Sequence, residues 1–224
     1  MKRILCLLLL VLVSCEIEYD GETKLLVKGI IIDENNNPIT NQDIKLFVSR
    51  ASASVPFVFY LPSESNFIGK ATTDSNGAYT MVIPKPKSNF SEILMLINEE
   101  QNQYNQKQLR NIKVEDFVNY ELNLGIRKLY DLSNLVQLTV TLNQINATKQ
   151  LIGIEYIGEL ANEIEYITPL ETNDTYSELH KKVRKNQNLV IRYALRNYAT
   201  NTNEIVEETI IIDASPTINY TLNY

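Results

Sequence analysis

The chain has 224 residues, two cysteines, one histidine and no tryptophan, and its 21 basic against 27 acidic side chains give a net charge of −6. That acidic balance excludes nucleic acid as a partner, because gripping a phosphate chain takes clustered Lys and Arg. A single histidine, His180, and no cysteine beyond Cys6 and Cys15 exclude both a two-histidine catalytic zinc and a cysteine-rich structural zinc, so no metal and no other cofactor is expected.

Lys2 and Arg3 precede an uncharged apolar run from Ile4 to Val13. As a helix, about ten residues span roughly 15 Å, half a bilayer's hydrocarbon core. The run therefore reads as the core of a signal peptide and not as a membrane span. It ends in Leu12-Val13-Ser14-Cys15, which resembles the lipobox of bacterial lipoproteins: aliphatic, then small, then cysteine. The resemblance implies a signal peptide over residues 1–14, cleavage before Cys15, and lipidation of its thiol by acyl chains such as palmitate, so that the membrane is a partner through the N-terminal lipid. Cys6 would leave with the signal, and the mature chain would hold neither a disulfide nor a free thiol. Losing Lys2 and Arg3 takes the charge from −6 to −8 over the remaining 210 residues. Electrostatic adhesion to anionic lipid is then excluded, and the acyl chains must do the anchoring.

Residues 15–24 read as a solvated tether, with Glu16, Glu18, Asp20 and Glu22 packed into seven positions. Acidic residues just after a lipidated cysteine resemble the surface-export signal of lipoproteins from Bacteroidota. Asn and Ile, 25 each, fit an AT-rich genome. This resemblance implies the cell outer membrane, with the outer surface preferred to the periplasmic face.

From Leu25 onward, short runs of Ile, Val, Leu, Tyr and Thr alternate with turn-formers, the pattern of an all-β chain. Leu25 to Asp33 reads as a strand buried on both faces, and Glu34-Asn35-Asn36-Asn37-Pro38 as a turn. Ile44, Leu46 and Val48 alternate with polar residues, which predicts a strand with one face inward. Asp74-Ser75-Asn76-Gly77 predicts a hairpin, followed by an inward stripe of Tyr79, Met81 and Ile83. Ile93 to Ile97 is a buried run. Val118, Tyr120, Leu122 and Leu124 predict the last strand of this half.

Val27-Lys28-Gly29-Ile30-Ile31-Ile32-Asp33, Pro38-Ile39 and Thr73-Asp74 to Gly77-Ala78-Tyr79 together resemble the carboxypeptidase-regulatory-like domain. That resemblance implies a seven-stranded sandwich of prealbumin type over residues 25–126. The usual glycine of its first turn is replaced here by Asn35-Asn36-Asn37, and the stretch Ala51 to Phe67 is longer than the compact form.

Catalytic readings fail one by one. No G-x-S-x-G nucleophile elbow accompanies His180, which is expected on the solvated surface. Asp74-Ser75-Asn76-Gly77 opens like a calcium loop, but Ile83 stands where the loop's Glu belongs. Glu163 and Glu165 share a strand face, and a solvated face explains them. Val55 to Leu61, whose residues Phe57 to Leu61 form an apolar run between Pro56 and Pro62, is expected to be an edge strand or a contact surface for a protein partner.

Beyond Gly125-Ile126-Arg127-Lys128 the alternation resumes: Val136, Leu138, Val140 and Leu142, then Ile152, Ile154 and Tyr156, then Ile164 and Tyr166. It continues through Ile191, Tyr193 and Leu195, Val206 to Ile212, and Ile218, Tyr220, Leu222 and Tyr224. This predicts a second sandwich of immunoglobulin-like dimensions over residues 129–224. Tyr176, Leu179 and Val183 sit at helical spacing and predict a short helix. No repeat of residues links the two halves. The expected architecture is two tandem antiparallel β-sandwiches after a lipoprotein signal peptide. The expected role is a non-catalytic binding or structural module, the alternatives being a ligand-capture subunit of a polysaccharide or peptide uptake complex, or a hydrolase of unrecognised type.

Overall fold

The computed structural model describes residues 17–50, 65–87, 91–167 and 178–224. Cys15, Glu16 and the Val55–Leu61 stretch lie outside the described residues, as does Tyr176. The rest of the expected tether is no free tether, since Ile17 is buried in the first core and strand pairing already begins at Tyr19. The protein is all-β. In the first half the strands are β1 (Tyr19–Ile32), β2 (Asp43–Arg50), β3 (Ser65–Thr72), β4 (Ala78–Pro86), β5 (Ser91–Ile97), β6 (Lys107–Ile112) and β7 (Glu121–Lys128). In the second they are β8 (Leu135–Asn143), β9 (Lys149–Ile157), β10 (Ile164–Tyr166), β11 (Glu178–Arg184), β12 (Gln187–Asn197), β13 (Thr202–Ile212) and β14 (Thr217–Asn223).

The first half stacks a sheet of order β4-β1-β7 on one of order β6-β5-β2-β3, and the second stacks β11-β8-β14 on β13-β12-β9. Counting each half from its own first strand, both read 4-1-7 over 6-5-2. The directions agree as well. The first strand pairs antiparallel with the fourth and parallel with the seventh in both halves. The fifth pairs antiparallel with the second and the sixth. The halves are one topology used twice. The third strand differs: β3 pairs with β2, whereas its counterpart β10 leaves its own sandwich and adds in parallel to the outer edge of β6. Ile164 and Tyr166, expected within the second sandwich, thus extend a sheet of the first. The sheets are antiparallel apart from that addition and the parallel pair of first and last strands in each half.

Alternation builds each core. Ile44, Leu46, Val48, Tyr79, Met81, Ile83 and Ile93 are buried between the first pair of sheets; Val136, Leu138, Val140, Leu189, Ile191, Tyr193 and Leu195 fill the second. Several expectations need correction. β1 is buried on one face only: Leu25, Val27 and Ile31 point inward while Ile30 is exposed. Asp74–Gly77 does form a tight turn, with the Gly77 N–H donating to the Asp74 carbonyl at 3.0 Å. It joins no hairpin, because β3 and β4 lie in different sheets; the turn is a corner between layers. Val118 and Tyr120 precede the last strand in an exposed turn, with Tyr120 at φ 66°.

That last strand does not stop at Leu124. Gly125, at φ +66°, makes a bulge where the β1 register slips between Lys28 and Ile30. The bulge resets the alternation, so Ile126 points out and β7 runs on to Lys128. A second slip between Ala194 and Leu195 turns Ile152 outward and seats Leu151 against the core instead. Leu179 and Val183 belong to strand β11, not to a helix: register against β8 prevails over a weak helical spacing.

Candidate functional site

The polar side chains of this protein converge on the seam between its halves. Glu34, in the turn after β1, is 5% exposed. Its carboxylate accepts the Asp131 N–H at 3.0 Å with one oxygen and the Asn134 side-chain amide at 2.7 Å with the other. Asn105, 1% exposed, accepts the Tyr130 N–H at 2.7 Å through its side chain and donates its own N–H to the Tyr130 carbonyl at 2.9 Å. Leu129 is fully buried in the first core. Asp131 caps the 3₁₀ turn Leu132–Asn134 by accepting the Ser133 N–H at 2.9 Å. Hydrogen bonds from the Ser133 hydroxyl and the Gln103 amide hold its carboxyl below the usual value, against a smaller opposing effect of burial. The connection between halves is therefore stapled at almost every residue.

Strand β10 adds a second clasp. Its Glu165 reaches Lys107 of β6 at 3.2 Å and Arg127 of β7 at 3.4 Å, joining the two sheets of the first sandwich along their open side. Lys107 is buried, so this carboxylate from the other half neutralises a charge that water barely reaches. The Arg127 Nε faces Glu165 at ion-pair distance but outside hydrogen-bonding geometry, and among the described residues it lacks a hydrogen-bond partner. Arg127 points inward because of the Gly125 bulge. At the topologically matching place in the second sandwich, Glu208 of β13 does the same service internally. Its carboxylate accepts the Tyr193 hydroxyl at 2.6 Å and the hydroxyl of Tyr220 from β14. Burial, then this bond, pushes the Tyr193 hydroxyl up to about 12. The first sandwich closes its side with a borrowed carboxylate and the second with its own.

The residues singled out from sequence do not meet. His180 is exposed on the edge strand β11, its Nδ1 3.2 Å from the Thr139 hydroxyl and its Nε2 3.9 Å from Glu178. Glu163 pairs with Lys182 of β11, so the two neighbouring glutamates serve opposite halves. Asp74 accepts the N–H groups of Asn76 and Ala78 at 2.8 and 2.9 Å and shapes its turn. A cleft of about 270 Å³ is lined by Asn134, Glu159, Arg184, Lys185, Asn186 and Gln187. Its charges are turned on each other: Arg184 bonds Glu159, which raises the guanidinium's pKa, and the Gln187 amide donates to the Glu159 carbonyl at 2.9 Å. Among the described residues no group of acidic, histidine and cysteine side chains is placed to hold a metal ion, and no helix is long and apolar enough to cross a membrane. Sequence reasoning missed Glu34, Asn105 and Arg127. No local pattern marks them, since their partners lie on other strands.

No family model matches this chain, and no curated protein matches it. Among solved structures it is similar to the shaft pilin spaA from Lactobacillus rhamnosus GG, at 11% identity over 90% of this chain and 98% of the pilin, with a TM-score of 0.33. It is also similar to 3-chlorocatechol 1,2-dioxygenase from Rhodococcus opacus 1CP, at 14% identity over 53% of this chain and 62% of the enzyme, TM-score 0.32. A 9R-lipoxygenase from Cyanothece PCC8801 is similar at 15% identity over 57% of this chain, TM-score 0.29; the chain spans only 20% of that enzyme's length. Likenesses this distant leave the strand order itself as the basis of the fold.

Proposed function

We propose that this chain is a non-catalytic module of a bacterial cell envelope, held at the outer membrane by a lipid on Cys15. Its two sandwich domains act as a fixed spacer that presents a binding surface to an envelope protein. The supporting observation is where the polar chemistry goes. Glu34, Asn105, Lys107, Arg127, Glu159, Glu165 and Arg184 are engaged in joining one half to the other or in securing that junction, which rigidifies a support and leaves no convergent set of free acid, base and nucleophile there. The 4-1-7 and 6-5-2-3 strand order of the first half fits the seven-stranded sandwich implied by the carboxypeptidase-regulatory-like resemblance, a non-enzymatic domain without a cofactor. The lipobox-like Leu12-Val13-Ser14-Cys15 and the acidic residues after it support lipid anchoring and outward display by a Bacteroidota-type lipoprotein.

Cell fractionation tests the anchor. The wild type should sediment with membranes and Cys15→Ala should move to the soluble fraction, because acyl chains contribute about 0.8 kcal/mol per buried CH₂ and the acidic tether contributes nothing comparable. Equal membrane recovery of the two would overturn the lipoprotein reading. Protease added to intact cells should digest the wild type, and Ala at Glu16, Glu18, Asp20 and Glu22 should protect it.

A further inference from the structure

We infer that the protein is built to carry tension along its length. In each half the first strand lies beside the last and runs parallel to it. β1 pairs with β7 from Leu26↔Glu121 to Ile32↔Lys128, and β8 pairs with β14 from Gln137↔Thr217 to Asn143↔Asn223 without a slip. In a parallel pair the start of one strand and the end of the other lie at opposite ends of the ladder. A pull that enters at Tyr19 and leaves after Lys128 therefore slides β1 along β7. The inter-strand hydrogen bonds run across the strands, so sliding strains all of them together, whereas a pull from one end of an antiparallel pair opens them singly. The second half repeats the arrangement between Leu135 and Asn223.

The connection between the halves is secured to match. The Leu129 N–H donates to the Ile32 carbonyl at 2.9 Å, continuing the β1–β7 ladder by one rung. Glu34 holds Asp131 and Asn134, and the Lys185 N–H donates to the Asn134 carbonyl at 2.9 Å. Force passing from β7 to β8 thus meets a docked segment. β10 keeps the sandwiches engaged from the other side through Lys107–Glu165. On the reading that Cys15 is the anchor, which this inference takes from the proposed function, the membrane attachment lies four residues before the start of β1. Load from the tether then enters a central strand, hydrogen-bonded on one side to β4 and on the other to β7.

Single-molecule pulling distinguishes this from a fold without directional strength, and it needs no lipid, so its failure would leave the anchor reading untouched. Residues 16–224 are pulled either between terminal handles or between cysteines placed at Asn188 and Ala214, which are exposed and flank one end of the antiparallel β12–β13 pair. At equal loading rate the terminal pull should rupture at a force at least roughly twice that of the peeling pull, since it breaks ladder bonds together and not in turn. It should show two large events, one for each sandwich. A terminal rupture force equal to or below the peeling force would overturn the inference. So would extension from the terminal handles without a distinct force peak.

Discussion

At the scale of single residues, burial separates ion pairs that matter from those that decorate. Lys107 has a side chain only 9% exposed, while its partner Glu165 is 36% exposed, so water partly compensates the carboxylate but not the ammonium. Glu165→Ala should cost about 1–3 kcal/mol in urea unfolding, the penalty of a poorly solvated charge left without its partner. Glu18→Ala, which breaks an exposed pair with Lys87 at 54% and 74% exposure, should stay within about 0.5 kcal/mol. Equal effects would mean that the seam contributes no more than surface decoration. Asp131 makes a pH-dependent case. Its carboxyl titrates below the unfolded value of 3.8, so its contribution is present above that value and is lost as pH falls through the folded one. Asp131→Ala should therefore cost about 1 kcal/mol at neutral pH as a lost cap. The gap to the wild type should narrow as unfolding is followed to about pH 2.5; a constant gap would assign the effect to packing.

At the scale of elements, turns and bulges determine which face a strand presents. Gly77 and Gly125 both adopt positive φ, at +71° and +66°, but in different surroundings. A Cβ on Gly77 would stand 2.3 Å from the Ile31 carbonyl oxygen; on Gly125 it would meet nothing within 4 Å. Gly77→Ala should cost about 2–4 kcal/mol, left-handed strain plus a backbone clash, and Gly125→Ala only about 1–2 kcal/mol from strain. Thermal unfolding of the two variants checks the order, and a reversed ranking would mean the corner can yield. Asn36 reaches φ 67° without glycine, as the turn reading of Asn35-Asn36-Asn37 anticipates. The Gly125 bulge was not legible: a lone glycine followed by Arg127-Lys128 reads equally well as the end of a strand.

At the scale of the whole molecule, the exchanged strand couples two sandwiches that otherwise have complete, separate cores. Cutting the chain after Asn134 keeps the buried residues of each core together and takes only the partly buried Ile167 from the first, so residues 17–134 and 135–224 should both give β-type circular dichroism. The first piece loses β10, which exposes the outer edge of β6 and strands Lys107. It should unfold at lower urea than the same sandwich in the intact chain, and adding the second piece should restore part of the difference. Identical midpoints with and without the second piece would mean that β10 is a passive lodger. Aggregation of both pieces, reversed only on mixing, would mean a single architecture and not two domains.

Alternation alone determined that this chain is all-β and which side of most strands faces inward. A two-residue period is a local property: Ile44, Leu46 and Val48, or Ile191, Tyr193 and Leu195, carry it wherever they fold. The proposal of a lipid anchor is equally local, resting on Ser14-Cys15, whereas the tether expected up to residue 24 gave way to strand pairing that starts at Tyr19 against Pro86. Pairing is not local. That the halves share one strand order, that β10 crosses to β6, and that Glu34 and Glu165 serve the seam all depend on residues tens of positions apart. Sequence distance does not encode which edge is free to accept a strand. Only the folded chain decided these, because a strand's apolar stripe specifies a face to bury while its hydrogen bonds are the same backbone groups in every neighbour it could choose.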